Sequence, residues 1–169
     1  MKKSGILSLI GNTPLLKLEK LFPSNRFNMY AKLEMYNAEG SIKDRPAFKM
    51  ISDAFDKGEI NSETTIVESS SGNTGIGLSM ICAYLGLKLI CVVDERCTIT
   101  NRRIIEAYGG TISMVTKPHP EKGFLGARWD RINHLLNTIP NSFNCNQYKN
   151  LNNPLAHHET VNEIIESLG

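Results

Sequence analysis

Thr64 to Asp94 reads TTIVESSSGNTGIGLSMICAYLGLKLICVVD, and the fold follows from how that stretch divides. Thr64 to Val67 is a short β-branched run, the mark of a strand. Small residues follow through Ser69, Ser70, Ser71 and Gly72. From about Thr74 to Leu85 the chain is apolar on nearly all sides, which predicts a buried helix. Gly86 ends it. Leu89 to Val93 is continuously apolar, as expected of a strand covered on both faces. Strand, helix, strand in that order predicts a parallel pair joined by a right-handed crossover.

The alternation continues outward on both sides. Downstream, Thr98 or Thr100 can cap a helix holding Ile104, Ile105 and Tyr108 that stops at Gly109 and Gly110. Thr111 to Val115 reads as the next strand. Lys117 to Gly123 is a Pro-rich, charged loop. Phe124 to Leu136 is an amphipathic helix carrying Trp129, Ile132 and Leu135. A short strand over Phe143 to Cys145 and a helix from about Pro154 to Leu168 complete the chain. Upstream, Gly11-Asn12-Thr13-Pro14 is a turn before the apolar Leu15 to Leu18. Asn28 to Met35 alternates as a strand, with Met29, Ala31 and Leu33 on one face. Pro46 fits the first turn of a helix in which Ala47, Met50, Ile51, Ala54 and Phe55 recur at helical spacing, and Gly58 stops it. The fold class expected is α/β, a three-layer arrangement of a parallel sheet with helices on both faces. The pattern stops at Gly169, just after a helix, where another strand is due, so the chain reads as cut rather than finished.

The 169 residues, 41% hydrophobic, suffice for a domain with a core of its own. No apolar run approaches the ~20 residues of a membrane span, and Ile6 to Ile10 is too short for a signal-peptide core. These features point to the cytoplasm. A net charge of +2 with interspersed signs gives no electrostatic case for nucleic acid or an anionic membrane. Cys82, Cys91, Cys97 and Cys145 show no Cys-x-x-Cys spacing and read as buried thiols. His157 and His158 are adjacent, so on one helix they diverge by about 100° and do not form a metal pair. No metal site is expected.

Two loops carry the chemistry. Gly40-Ser41-Ile42-Lys43-Asp44-Arg45-Pro46 puts a lysine at a loop-to-helix junction beside residues small enough for a bulky group to approach. Ser69 to Gly75, thirty residues on, places small residues and N–H groups at the start of a buried helix, which suits an anion or carboxylate. Each alone is unspecific: a solvated lysine, a capped turn. Their order and spacing together suggest a covalent-cofactor site.

Ile10-Gly11-Asn12-Thr13-Pro14-Leu15, the Gly-Ser-Ile-Lys-Asp-Arg run at 40–45 and Glu68 through Leu78 resemble, in that order, the pyridoxal-phosphate enzymes related to cysteine synthase and cystathionine β-synthase (fold type II). The resemblance covers nearly the whole chain. Asn37 to Ala47, Cys91 to Asp94, Gly123-Phe124-Leu125 with Arg128, and Asn146-Gln147-Tyr148 look closest to the N-(2-amino-2-carboxyethyl)-L-glutamate synthases of siderophore pathways. Ala38 departs from the proline common there in cysteine synthases.

The resemblance implies roles. Lys43 matches the lysine that bonds pyridoxal phosphate and serves as base. Asn73 matches the residue that hydrogen-bonds the cofactor ring oxygen. Ser70, Ser71, Gly72, Asn73 and Thr74 match the loop gripping the substrate carboxylate, and Gln147 a glutamine lining the same pocket. Arg128 and Tyr148 are candidates for acceptor selection, because a glutamate site needs an added cation. Residues 1–35 and 146–169 would belong to a large domain and 36–145 to a small mobile one. The glycine-rich phosphate loop would lie beyond Gly169. A full-length relative would be a homodimer acting on small amino-acid substrates.

Three functions are therefore weighed. The first is a PLP-dependent transferase joining O-phospho-L-serine to L-glutamate by β-replacement, on the way to 2,3-diaminopropionate and siderophores. The second is a cysteine synthase using O-acetylserine and sulfide. The third is a non-catalytic fragment or interaction module. The 169-residue piece is expected to be inactive alone.

Overall fold

The computed structural model describes residues 1–24 and 26–169. A 3-10 turn over Gly5–Leu9 leads into a small antiparallel pair, β1 (Leu15–Lys17) and β2 (Tyr30–Lys32). Helix α1 (Asp44–Asp56) follows, and then the alternation begins: β3 (Thr65–Ser69), α2 (Asn73–Leu85), β4 (Lys88–Asp94), α3 (Ile99–Ala107), β5 (Thr111–Val115), α4 (Gly123–Thr138) and β6 (Ser142–Phe143). Helices α5 (Asn152–Leu155) and α6 (His157–Leu168) close the chain. Among the described residues, no helix is long and apolar enough to cross a membrane.

The central sheet has the order β5-β4-β3-β6, with every neighbouring pair parallel. Because side chains alternate across a strand, β4 sends Leu89, Cys91 and Val93 to one face and Val92 to the other. The first face packs under α1, α2 and α3, through Ile66, Leu78, Ile81, Ile76 and Ile105. Val67 and Val92 meet Ile132 and Leu135 of α4 on the second face. Helices thus cover both faces. The Thr64–Asp94 stretch forms the strand, helix and strand read from it. Gly86 takes φ 72° at the end of α2, and Thr98 rather than Thr100 caps α3 by accepting from the Asn101 N–H at 3.2 Å. All four cysteines are buried and unpaired.

Three boundaries differ from the reading of the sequence. The strand expected over Asn28–Met35 is only Tyr30–Lys32, and Glu34–Tyr36 is a 3-10 turn. Glu34 leaves the ladder because its carboxylate bonds Arg45 Nε at 2.8 Å and Nη2 at 2.9 Å. Strand β6 stops at Phe143, since Asn144 gives its side-chain amide to the Val67 carbonyl in place of a ladder bond. The last helix begins earlier, at Asn152, and is divided at Ala156. Trp129, expected on the packed face of α4, is 42% exposed.

Arg45 ties the periphery to the core. It is 2% exposed and reaches Glu163 of α6 at 2.6 and 2.7 Å, Glu34 of the 3-10 turn, and the Thr13 hydroxyl at 3.3 Å. Lys32 adds a second contact to Glu163 at 2.6 Å. Burial opposes these charges, but the paired hydrogen bonds outweigh it: Arg45 is held above its ordinary value, and Arg45 and Lys32 pull Glu163 down to about 2.

Candidate active site

Two turns build the site. In the first, Gly40 takes φ 78°, a left-handed conformation that glycine adopts without strain. The Ser41 hydroxyl accepts from the Lys43 N–H at 3.1 Å and donates to Asp44 Oδ1 at 3.2 Å, while the Glu39 N–H meets Asp44 Oδ2 at 2.6 Å. Lys43 sits just before α1, half-buried, and its ammonium has no ion pair or hydrogen bond among the described residues. Asp44 next to it is buried, and that burial pushes its carboxyl up to about 6.

In the second turn, Gly72 precedes α2 without a side-chain cap. The Ser70 hydroxyl is spent inside the loop, accepting from the Gly75 N–H at 2.9 Å. The N–H groups of Asn73 and Thr74 have no partner among the described residues, as the opening of a helix requires. Those donors and the positive end of α2 favour an anion. The loop is held from below: Asn101 Nδ2 donates to the Ser71 carbonyl at 2.9 Å, and the Cys91 thiol to the Ser70 carbonyl at 2.9 Å.

The two turns open on one cleft of about 400 Å³. Lys43, the loop from Ser70 to Thr74, Gln147, Arg128 and Tyr148 all line it, so every site residue anticipated from the sequence is brought together there. Gln147 is fixed by donating from Nε2 to the Ser69 carbonyl at 2.9 Å. Tyr148 is exposed. Arg128, from α4, lies 3.6 Å from Asp94 through Nε, which is buried and has no hydrogen-bond partner among the described residues. The cleft wall carries cationic groups, a lysine and an arginine, and no carboxylate. Its charge suits an anionic ligand.

Three residues near the site were not legible beforehand, and none of them lines the cleft. Glu68 is 1% exposed at the end of β3; burial pushes it up to about 7, opposed by N–H groups of Ser69, Gln147 and Asn146. His157 reads in sequence only as half of a poor metal pair, yet burial, and then the charges of Lys43 and Arg45, hold it below its ordinary value. Arg45, adjacent in sequence to the Lys43-Asp44 pair, is a packing residue rather than a cleft residue. Nothing in local spacing signals these three, because each depends on a neighbour distant in sequence.

Comparison with known proteins follows the geometry. The family described as pyridoxal-phosphate dependent enzyme matches residues 6–169. Cysteine synthase B of Campylobacter jejuni is 43% identical over 164 residues, covering 96% of this chain and 52% of the relative. Among solved structures, a hydrogen sulfide-producing enzyme of Fusobacterium nucleatum superposes with TM-score 0.86 at 37% identity, over 99% of this chain and 54% of the other. A cysteine synthase of Entamoeba histolytica gives 0.85 at 31%, over 97% and 49%. The chain spans about half the length of the relatives it matches. With the lysine turn and the serine loop facing one cleft on this fold, the chain belongs to the pyridoxal-phosphate dependent enzyme family, fold type II, in the company of the cysteine synthases.

Proposed function

We propose that the chain carries the lysine and carboxylate half of a cytoplasmic, homodimeric enzyme that replaces the β-substituent of an activated serine, O-phospho-L-serine, with the amino group of L-glutamate. The product is N-(2-amino-2-carboxyethyl)-L-glutamate, which leads to 2,3-diaminopropionate and siderophores. The observation that carries the reading is the meeting of Lys43, the Ser70–Thr74 loop, Arg128 and Tyr148 in one cleft.

The residues present fit part of pyridoxal phosphate. Lys43 offers an uncommitted amine, Asn73 an exposed carboxamide, and Gly72 has no atom within 4 Å of where a side chain would begin. When bound, the cofactor supplies an electron sink at the substrate α-carbon. Lys43 Nζ then receives the α-proton. The N–H groups of Asn73 and Thr74 orient the serine carboxylate. In the replacement of the β-substituent by the glutamate amino group, the Arg128 guanidinium would meet a carboxylate of glutamate. Residues 36–145 would move as a small domain against 1–35 and 146–169.

The second reading is a cysteine synthase with sulfide as acceptor. The names of the relatives favour it, and so does the Arg128–Asp94 pair, which commits part of the arginine's charge. A panel pairing O-phosphoserine or O-acetylserine with glutamate or sulfide, run on the protein at the full length of its relatives, separates the two. Turnover only with sulfide would reject the first reading, and no turnover on any pair would favour a non-catalytic module.

A further inference from the structure

Helix α3 is fastened to both turns of the cleft. In its first turn, Asn101 donates to the Ser71 carbonyl, and the Cys97 thiol, just ahead of the helix, donates to the same oxygen at 3.5 Å. At its far end, the Tyr108 hydroxyl donates to the Glu39 carboxylate, in the turn that carries Lys43. Glu39 and Tyr108 are 69 residues apart in sequence. The tyrosine ring packs against the core shared by α1 and α2, so the hydroxyl comes from a fixed base. The carboxylate and burial push that hydroxyl up to about 12, and it remains a donor at neutral pH. A hydroxyl donating to a carboxylate makes one of the stronger hydrogen bonds.

Little else holds the lysine turn. Ala38 packs on the core at one end, and α1 packs there at the other. Between them Gly40 is exposed, with φ 78°. The Gly40 N–H goes to the Asn37 carbonyl, the Glu39 N–H to Asp44, and the Lys43 N–H to Ser41. All of these close inside the turn. Among the described residues, the bond from Tyr108 to Glu39 is the one hydrogen bond that ties residues 38–43 to any part of the chain outside 37–47. Lys43 has no partner that directs its ammonium, so the placement of its backbone sets the placement of the amine. A misplacement of about 1 Å at a reacting group costs on the order of a hundredfold in rate. We propose that Glu39 and Tyr108 are positioning residues for Lys43: through them α3, which already holds the carboxylate loop at Ser71, keeps the lysine turn in register with that loop. The inference rests on the reading of Lys43 as the reacting amine.

Tyr108→Phe removes the hydroxyl and keeps the packed ring. In the 169-residue chain at high dilution, amide hydrogen exchange over residues 38–44 is expected to speed up about tenfold, the scale of one lost charge-assisted bond, and exchange over 70–75 to stay unchanged. Asn101→Ala is expected to do the reverse. Glu39→Ala is expected to match Tyr108→Phe, and the two together to add nothing further. Glu39→Gln still offers an oxygen to the hydroxyl and is expected to restore slow exchange. These arms depend on no reaction. In the protein at the full length of its relatives, assayed on the donor and acceptor pair that turns over, Tyr108→Phe is expected to lower kcat about tenfold and leave the donor KM within about twofold. Asn101→Ala is expected to raise that KM about tenfold. A protein that turns over no pair fails the proposed function, and the exchange arms then decide alone. Unchanged exchange in Tyr108→Phe, no recovery in Glu39→Gln, or kcat and KM moved alike by both variants would overturn the proposal.

Discussion

Lys43 is the one lysine in the cleft, and the turn that presents it leaves its ammonium without a partner among the described residues. In the protein at the full length of its relatives, Lys43→Ala is expected to remove the borohydride-reducible cofactor adduct and to lower turnover by at least about a hundredfold, the scale of losing a positioned base. An adduct that re-forms on another lysine would reassign the site. Arg128 is a different test. Its Nε faces Asp94 at 3.6 Å while the side chain lines the cleft, so a ligand carboxylate would meet the guanidinium from the cleft side. Arg128→Ala is expected to raise the KM for glutamate by roughly 10- to 100-fold while changing that for the serine donor far less. Equal effects on both would return Arg128 to its pairing with Asp94.

Two carboxyl groups also set how stability follows pH, with opposite signs. Glu163 is lowered from 4.5 to about 2, so the unfolded chain binds the proton first as pH falls. Its contribution is complete above pH 4.5 and is lost as pH drops toward 2. Glu68 is raised from 4.5 to about 7, so the folded chain binds the proton more tightly. Its contribution is present below pH 4.5 and is lost as pH rises through 7. Urea midpoints measured across this range are expected to show Glu163→Gln flattening the acid limb and Glu68→Gln flattening the neutral limb. Interchanged effects would mean that the burial and pairing of the two groups are misassigned.

At the level of elements, the opening of α2 decides the site. A side chain at Gly75 would begin 2.9 Å from the Ser70 carbonyl and 3.0 Å from the Cys91 sulfur. The backbone beneath the carboxylate loop therefore lies too close for any residue larger than glycine. Gly75→Ala is expected to cost about 1–3 kcal/mol by denaturant unfolding and to weaken carboxylate binding, because Ser70 must move. A stable variant with unchanged binding would show the loop to be loosely held.

This element was also the most legible in sequence. A buried helix between two apolar strands leaves few alternatives, and Thr111–Val115 was read to the residue because Gly109-Gly110 marks its start so plainly. The misreadings share one cause. Asn28–Met35 alternates as a strand should, but Glu34 bonds Arg45, eleven residues on. Phe143–Cys145 reads as apolar and extended, but Asn144 substitutes its side chain for the backbone. Both were decided by a polar partner outside the window in which periodicity is visible. In the cleft, the loops could be read because they are contiguous, whereas Glu68 and His157 acquire their character only from residues folded against them.

For the whole molecule, the large side chains left in solvent are concentrated outside the central sheet. Leu21, Met35, Tyr36, Leu151 and Ile165 are all at least 60% exposed. Leu16 is exposed, while Leu15 and Ile164 are half-buried. Exposed apolar area of this extent marks surface that is covered in use. The 169-residue chain alone is expected to self-associate on size-exclusion chromatography, to bind pyridoxal phosphate weakly in an absorbance titration, and to show no β-replacement. The cofactor's phosphate needs several N–H donors at a helix start, and the proposed function assigns the α2 opening to the substrate carboxylate. A monodisperse, yellow, active chain would refute this division of labour.

The pairing of Arg45 with Glu163 spans 118 residues. During synthesis the arginine leaves the ribosome after Glu34 but long before its second acid partner, Glu163, exists. At about 5–20 residues per second the wait is roughly 6–24 s. Until then Arg45 has Glu34 alone to answer its charge. The helix that follows Lys43 can pack its apolar face on α2 early, but its first turn completes its ion-pair network only when α6 has been made.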